Sequence, residues 1–392
     1  MDASRFKDGA PGRLVEIDRA DHPAKKDWAF IPNELPAKWE FDQNLWPLIS
    51  EARDRLGTLN GIAQTLPDPE LLLRPLQNRE AIASSQIEGT FVTPEQLLLF
   101  ELNPREPRSA GDKDMMDWIE VFNYSNALKI GCEMIETHSI KNHVIRSMHA
   151  KLMLGVRGRD KSPGKFREKQ VQIGSSARYI PPPCAEVDRL MRNLEEYIAA
   201  ESLTPDPLVK CFLVHYQFET IHPFEDGNGR VGRALLALMM QKLLSQKHPW
   251  IYLSAYFDRF QDEYFSNLFQ VSAAGEWNKW IEYCLNGTII QANDSIRRCN
   301  RFRELQAEYH QRLKVSSPTP RSYLLVDHLF REPIVRVASV KQRFGTHYAT
   351  AKADIEKLVE CGILKELEGS QRPKSYFSPD IMGIAYGKSD SL

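Results

Sequence analysis

From His222 the chain runs Pro223-Phe224-Glu225-Asp226-Gly227-Asn228-Gly229-Arg230-Val231-Gly232-Arg233, a stretch whose residue types can together handle phosphate. Gly227, Asn228 and Gly229 reach positive φ at little cost, so successive backbone N–H groups can converge on an anion. An apolar helix expected over Ala234 to Leu244 follows directly and brings its N-terminal partial charge, about +0.5, to the same spot. Arg230 and Arg233 stand three apart, on one face of a helical turn beside the nest. Charge-assisted hydrogen bonds from such groups contribute roughly 1.5–3 kcal/mol each. A polyphosphate suits this cradle. Asp226 adds a hard oxygen ligand, which suits Mg2+ bridging phosphate oxygens. His222, with an ordinary pKa near neutrality, can take a proton from an incoming hydroxyl. Base, metal ligand, cradle and arginines together fit nucleophilic attack on a nucleotide phosphate.

Simpler readings account for the parts but not the set. A Gly-Asn-Gly turn before a helix is often only a tight loop, and a His beside Pro is often a cap. An EF-hand loop starting at Asp226 fails because Arg230 puts a cation where the third ligand belongs, and Ala237 stands where a bidentate Glu is required. No GxxxxGK[ST] follows a strand here, and no HExxH zinc helix is present.

The elements that must position this stretch are mostly helical. The first forty residues read as irregular, interrupted by Pro11, Pro23, Pro32 and Pro36. Leu45, Ile49, Leu56, Leu59 and Ile62 recur at helical spacing. Pro67 and Pro69 break that helix, and a second runs from Glu70 to Ile87, closing at Gly89. Thr93 and Pro94 read as the N-cap and first turn of a third, and Asn103 to Asp112 as a loop. Helices follow over Met115 to Ile135, Ile140 to Leu154, Ala185 to Glu201 and Pro207 to Phe218, with aromatic-rich helical segments after the motif to about Ile290. Val171-Gln172-Ile173 and Arg178-Tyr179-Ile180 flank Gly174-Ser175-Ser176 as in a β-hairpin. Asp294 to Lys314 carries six Lys/Arg against three Asp/Glu and reads as an exposed connecting helix, ending in a linker at Ser316 to Pro320. Beyond it, helices over Tyr323–Phe330, Val337–Phe344 and Tyr348–Glu360, then short strands at 362–365 and 376–377 around a turn at 368–370, outline a winged helix-turn-helix. The units expected are a helical region 1–114, a catalytic domain 115–290, a connecting helix and linker 291–318, and a winged-helix domain 319–392.

The chain has 392 residues, with Lys+Arg 51 against Asp+Glu 52 and a net charge of -1, which excludes a globally basic nucleic-acid coat. Its longest apolar run, Ala234 to Met240, is far short of the roughly 20 residues that span a bilayer. The polar Met1–Arg13 lacks a signal-peptide apolar region. Six scattered cysteines form no CxxC pair. A reduced, cytoplasmic protein without a membrane partner is the expectation.

The stretch His222 to Arg233 matches, position by position, the HxFx[DE]GNGRxxR signature of the Fic (Fic/Doc, or Fido) proteins, and the chain resembles that family. The resemblance implies a mainly α fold with a Fic-type helical core, and transfer of AMP from ATP to a protein hydroxyl of Ser, Thr or Tyr. It implies His222 as general base, Asp226 as the Mg2+ ligand, Asn228, Gly229 and Arg230 on the α- and β-phosphates, and Arg233 on the γ-phosphate. Gly227, Val231 and Gly232 complete the nucleotide-binding stretch, and Phe224 anchors the loop. The family's flap, which clamps a target segment, matches the hairpin at Lys169 to Tyr179, where an added strand would be β-augmentation. Tyr252 and Tyr256 resemble the stretch lining the nucleoside pocket, with ordinary aromatic core as the other reading. Ser84-Ser85-Gln86-Ile87-Glu88-Gly89 fits the family's inhibitory motif [ST]xxxE[GN]. Glu88 at a helix end can then pair with Arg233 in place of the γ-phosphate. The same Glu can position water to remove AMP from a modified protein, so both directions stay open.

In the carboxy-terminal unit, Tyr348, Thr350, Lys352 and Lys357 fall on the expected recognition helix, with Arg372 and Lys374 on the wing. Eleven Lys/Arg against nine Asp/Glu from Thr319 onward leave DNA binding and protein docking both open. Other readings are a Fic enzyme with a different donor and a winged-helix regulator that only senses nucleotide. A helical core of this kind suits a homodimer, though no residue pattern demands one.

Overall fold

Strands β1 (Gly12–Asp18) and β2 (Lys26–Pro32) pair antiparallel, with Val15 opposite Ala29, so the amino-terminal forty residues are not irregular as expected. Pro11 and Pro32 delimit the pair instead of interrupting it, in keeping with the positions that strands leave to proline. This computed structural model describes residues 1–18, 26–64, 70–105, 112–155, 161–174, 179–201, 205–367 and 373–387. The break at Pro67 and Pro69, the middle of the 103–112 loop, Ser175 and Ser176 of the expected hairpin turn with Arg178 of its second strand, the turn expected at 368–370, and Arg372 lie outside the described residues.

Helix α1 (Trp46–Gln64) precedes α2 (Glu70–Ile87), whose ends fall where spacing placed them although Pro75 lies within it. Helix α3 (Pro94–Leu102) starts on a capping box: Gln96 N–H donates to Thr93 Oγ1 (3.3 Å), and Thr93 N–H donates to Gln96 Oε1 (2.8 Å). Helices α4 (Lys113–Thr137), α5 (Asn142–Leu152) and α6 (Cys184–Ala199) follow. Between α5 and α6 the expected hairpin reduces, among the described residues, to one bridge in which Ile173 N–H donates to Tyr179 O (2.9 Å).

At the centre lie α7 (Pro207–Ile221) and α8 (Asn228–Leu243). Residues 208–218 of α7 and 230–241 of α8 are buried all round, the mark of core helices. Helix α8 begins six residues before Ala234, where it was expected, so Arg230 and Arg233 belong to its first two turns.

Helices α9 (Ser254–Arg259), α10 (Gln261–Ala274) and α11 (Trp277–Lys314) complete this part. Helix α11 runs unbroken through Ile290, where a separate connecting helix was expected. Nor is its second half exposed. Asp294, Arg298, Phe302, Leu305, Tyr309 and Leu313 recur every three or four residues as a buried stripe, and its polar members are paired, Arg298 Nε donating to Asp294 Oδ2 (2.8 Å).

The carboxy-terminal segment comprises α12 (Pro320–Arg331), β3 (Ile334–Arg336), α13 (Val337–Phe344), α14 (Tyr348–Glu360), β4 (Lys365–Glu366), β5 (Ser375–Phe377) and α15 (Pro379–Tyr386). Its antiparallel sheet has the order β3-β5-β4, with Phe377 opposite both Ile334 and Lys365. The three helices and the β4–β5 pair follow the expected order, whereas β3 and α15 are additions. A three-residue strand is too short for alternation to reveal. Among the described residues no helix is long and apolar enough to cross a membrane.

Candidate active site

The loop 222–227 joins the two buried helices, and its shape is set at both ends. His222 closes α7 in the left-handed region (φ 51°), and Gly227 opens α8 there too (φ 75°). Asn228 braces the loop: Phe224 N–H donates to its Oδ1 (2.8 Å) and its Nδ2 donates to Phe224 O (2.9 Å). The resemblance gave Asn228 to the phosphates. Its side-chain amide is engaged with the loop backbone, so any phosphate contact from this residue would come from its backbone N–H. Phe224 is fully buried and stacks on His149 at 3.7 Å between ring centroids.

Two residues that spacing did not reveal hold this loop from outside. His149 Nδ1 accepts from Gly164 N–H (2.8 Å), so its Nε2 donates to Asp226 O (3.0 Å). Burial lowers its pKa to about 4, which keeps that neutral tautomer. Arg167, also buried, donates to the carbonyls of His222 (2.9 Å), Pro182 (2.5 Å) and Lys169 (3.2 Å), while its own N–H donates to Pro223 O (2.8 Å). Both acts are invisible to a motif search, because the partners are backbone carbonyls remote in sequence.

His222 Nδ1 lies 3.3 Å from Glu219 O; a carbonyl only accepts, so Nδ1 carries the proton and Nε2 keeps a lone pair. Burial lowers the His222 pKa to about 4, so the imidazole is neutral at neutral pH. Asp226 Oδ1 accepts from Gly227 N–H (2.6 Å) and lies 3.8 Å from Arg230 Nη2, with its side chain half exposed. Arg230 is buried. Its Nη1 lies 3.5 Å from Glu120 Oε2, and its Nε and Nη1 have no hydrogen-bond partner among the described residues.

Arg233 is the most engaged of the motif residues. Its Nε donates to Ser84 Oγ (2.8 Å), and its Nη2 donates to Ser84 O (2.8 Å) and to Glu88 Oε1 (2.7 Å). Burial alone would raise the Glu88 pKa; the Arg233 charge and hydrogen bond outweigh it and hold the carboxyl below its ordinary value. A β-carbon at Gly229 would collide with Glu88 Oε1, so this carboxylate lies directly against the first turn of α8. The inhibitory candidate thus occupies the place read as the anion cradle. Glu88 itself stands one residue past α2, which supplies Ser84 from its last turn. Thr90, just beyond, donates to Glu120 Oε2 (2.9 Å).

Two further buried carboxyls flank Arg233. Glu80 accepts from Tyr124 Oη (2.8 Å) and Ser254 N–H (3.2 Å), and burial raises its pKa. Glu219, on α7, has a buried Oε1 with no hydrogen-bond partner among the described residues, and burial pushes its pKa to about 8. Its carboxyl fills the space where a β-carbon of Gly232 would stand. Gly232→Ala is therefore expected to cost about 1–2 kcal/mol, overpacking outweighing the ~1 kcal/mol gain in helix propensity. Urea titration checks this, with Gly232→Ala/Glu219→Ala expected to regain most of the loss; an unchanged midpoint for the single variant would mean that Glu219 simply moves aside.

Tyr256 stands in a different neighbourhood. Its ring lies against Gly287 and within 5.0 Å of Phe260 and Tyr283, an aromatic core setting, while Tyr252 is buried. Among the described residues no group of three or more His, Cys, Asp or Glu is gathered as for a metal.

Residues 46–133 match the family described as Fic/DOC family N-terminal, and residues 139–240 match the Fic/DOC family. The protein adenylyltransferase Fic of Drosophila erecta is 31% identical over 140 residues, 35% of this chain and 27% of that protein. A probable protein adenylyltransferase of Aquifex aeolicus is 42% identical over 74 residues, 19% of this chain and 22% of that one. These matches thus span about a quarter of the relatives' length. A Fic family protein from Desulfovibrio desulfuricans has the same fold, with a TM-score of 0.55 over 87% of this chain and 97% of that one, at 20% identity. The signature loop between the two core helices lies in the second matched segment and the helix that reaches it lies in the first, and over these two segments the chain matches the Fic/DOC family.

Proposed function

We propose that the protein is an auto-inhibited protein adenylyltransferase that moves AMP from ATP to a Ser, Thr or Tyr hydroxyl of a protein, its own chain included. The observation that carries this is the Glu88 carboxylate on Arg233 at the start of α8 (2.7 Å), an anion held where a nucleotide phosphate would be. Names of the Drosophila and Aquifex relatives support the same reaction. In the transfer, His222 Nε2 takes the proton of the attacking hydroxyl as its oxygen bonds to the α-phosphorus, and the bond to the pyrophosphate oxygen breaks. Arg230 and the α8 N-terminus would hold the phosphates, and Arg233 the γ-phosphate once Glu88 has left. Gly229, Gly232 and Val231 keep that turn close-packed.

Asp226 would hold Mg2+, and a lone, half-exposed carboxylate suits an ion that keeps water and phosphate oxygens as its other ligands. Bound there, it supplies charge neutralisation across the phosphates. The target would join the flap at 169–179, where the Ile173–Tyr179 bridge supports an extended edge. We assign 1–114 as the inhibitory region, 115–290 as catalytic, 291–318 as connecting and 319–392 as a winged helix with α14 as its recognition helix, for DNA or protein. A reduced, cytoplasmic setting is in keeping with six free cysteines, and a homodimer with the helical core.

The test uses Glu88→Gly with ATP labelled at the α- or the γ-phosphate, in the presence of Mg2+. Protein label from the α-position alone is expected. Label from the γ-position would mean phosphoryl transfer, and none from either, with nucleotide still bound, would favour a nucleotide-sensing regulator.

A further inference from the structure

We infer that the carboxy-terminal domain clamps the inhibitory helix, so that its seating on α2 sets how firmly Glu88 holds Arg233; this rests on the inhibitory reading of Glu88 above. Helix α2 has two working ends. At one, Ser84 and Glu88 meet Arg233. At the other, fourteen residues and so about 21 Å away, Arg74 bridges Glu332 at the end of α12 (3.0 Å) and Glu101 of α3 (3.1 Å).

A second tie runs through α11. Arg79 pairs with Asp294, which also accepts from Arg298 Nε (2.8 Å) and Arg297 Nη2 (3.2 Å). Arg298 in turn donates to the carbonyls of Ile384 and of Gly387 (2.9 Å), capping the end of α15. Asp294 and Arg298 are both buried, so this chain of charges is screened little by solvent. A third tie is apolar. Leu98 of α3 packs with Ile334 of β3 and Met382 of α15 in a cluster separate from the main core.

These ties come from three elements of the carboxy-terminal domain and converge on α2 and on α3 beside it. The residue after Arg79, Glu80, is bonded to Ser254 and Tyr124 close to Arg233. A helix is stiff along its axis, so a shift at Arg74 and Arg79 is delivered at Ser84 and Glu88. Whatever lifts the carboxy-terminal domain off α2 then weakens the hold on Arg233 and opens the cradle to nucleotide.

The test compares full-length wild type, Glu88→Gly, Glu332→Arg, Arg74→Glu/Glu332→Arg and Arg79→Gln, reading ATP affinity by calorimetry and self-labelling from α-labelled ATP. Melting curves confirm that each variant is folded. Glu332→Arg sets two cations against each other and is expected to tighten ATP at least five-fold, toward Glu88→Gly. The double reversal restores the pair with position 332 but sets a carboxylate against Glu101, so it should recover only part of the wild-type affinity, while Arg79→Gln acts through the second tie and should tighten ATP on its own. Tight ATP in Glu88→Gly with wild-type affinity in both Glu332→Arg and Arg79→Gln would overturn the clamp. If affinities move as expected but no variant labels itself, the clamp stands and the AMP-transfer reading falls. If Glu88→Gly leaves ATP affinity unchanged, Glu88 does not gate nucleotide and the clamp falls with it.

Discussion

Glu88→Gly should transfer AMP about 10- to 100-fold faster than wild type at ATP concentrations below saturation. In the resting structure Arg233 Nη2 is occupied at 2.7 Å by Glu88 Oε1, and the same carboxylate presses on Gly229. On the proposed reading, a γ-phosphate must displace both contacts before ATP can lie across the start of α8. A charge-assisted hydrogen bond of this kind contributes roughly 1.5–3 kcal/mol, and 1.36 kcal/mol is tenfold in rate. Glycine removes the competitor and leaves Arg233 held in place by Ser84 through Nε and Nη2. Because the variant leaves a buried cation short of its counter-charge, its melting temperature should fall, and ATP should restore it. Initial rates with α-labelled ATP check the first claim and thermal melts the second. Equal rates in the two proteins would mean that something other than Glu88 limits transfer.

Glu88→Gly/His222→Ala should lose 10²- to 10⁴-fold of the rate gained, the usual contribution of a positioned general base. Nucleotide affinity should stay within about two-fold, since among the described residues no hydrogen bond joins the His222 side chain to Arg230, Arg233 or the start of α8, its Nδ1 being directed at Glu219 O. The pH profile follows from burial, which lowers the imidazole pKa to about 4. A base works only when unprotonated, so the limb due to His222 should be flat from neutrality down to about pH 5 and fall only as pH drops through about 4. A rate that falls as pH drops through 6.5 would show that His222 titrates as if exposed. Retained transfer in the double variant would remove His222 from the base role.

The motif was legible in the sequence because it concentrates unusual residue types at fixed spacing, whereas the Glu88 segment stood out only through the family resemblance. Helix α2 was legible to the residue, and Thr93 with Pro94 announced the start of α3. What hid was of another kind. Helix α8 contains Gly229 and Gly232, poor helix formers that argued for a later start. They sit within the helix because the carboxyls of Glu88 and Glu219 fill the places of their missing β-carbons, and such facts depend on tertiary neighbours. The second half of α11 looked exposed because charges were counted, whereas Asp294 and Arg298 are buried as partners. His149 and Arg167 act on backbone carbonyls far away in sequence, and no spacing encodes that.

Arg167 has a consequence for fidelity. Its guanidinium ties the chain at Lys169, where the proposed flap starts, the chain at Pro182, three residues past its end, and His222, the proposed base. A flat, forked cation can fix three directions at once, which a lysine's single point charge cannot. On the proposed reading, the ledge that would receive a visiting strand and the imidazole that would deprotonate its hydroxyl are held by one side chain. Alignment error between them does not accumulate through intervening joints, and a hydroxyl set one residue out of register on the ledge would stand about 3.3 Å along the strand from the position served by the imidazole.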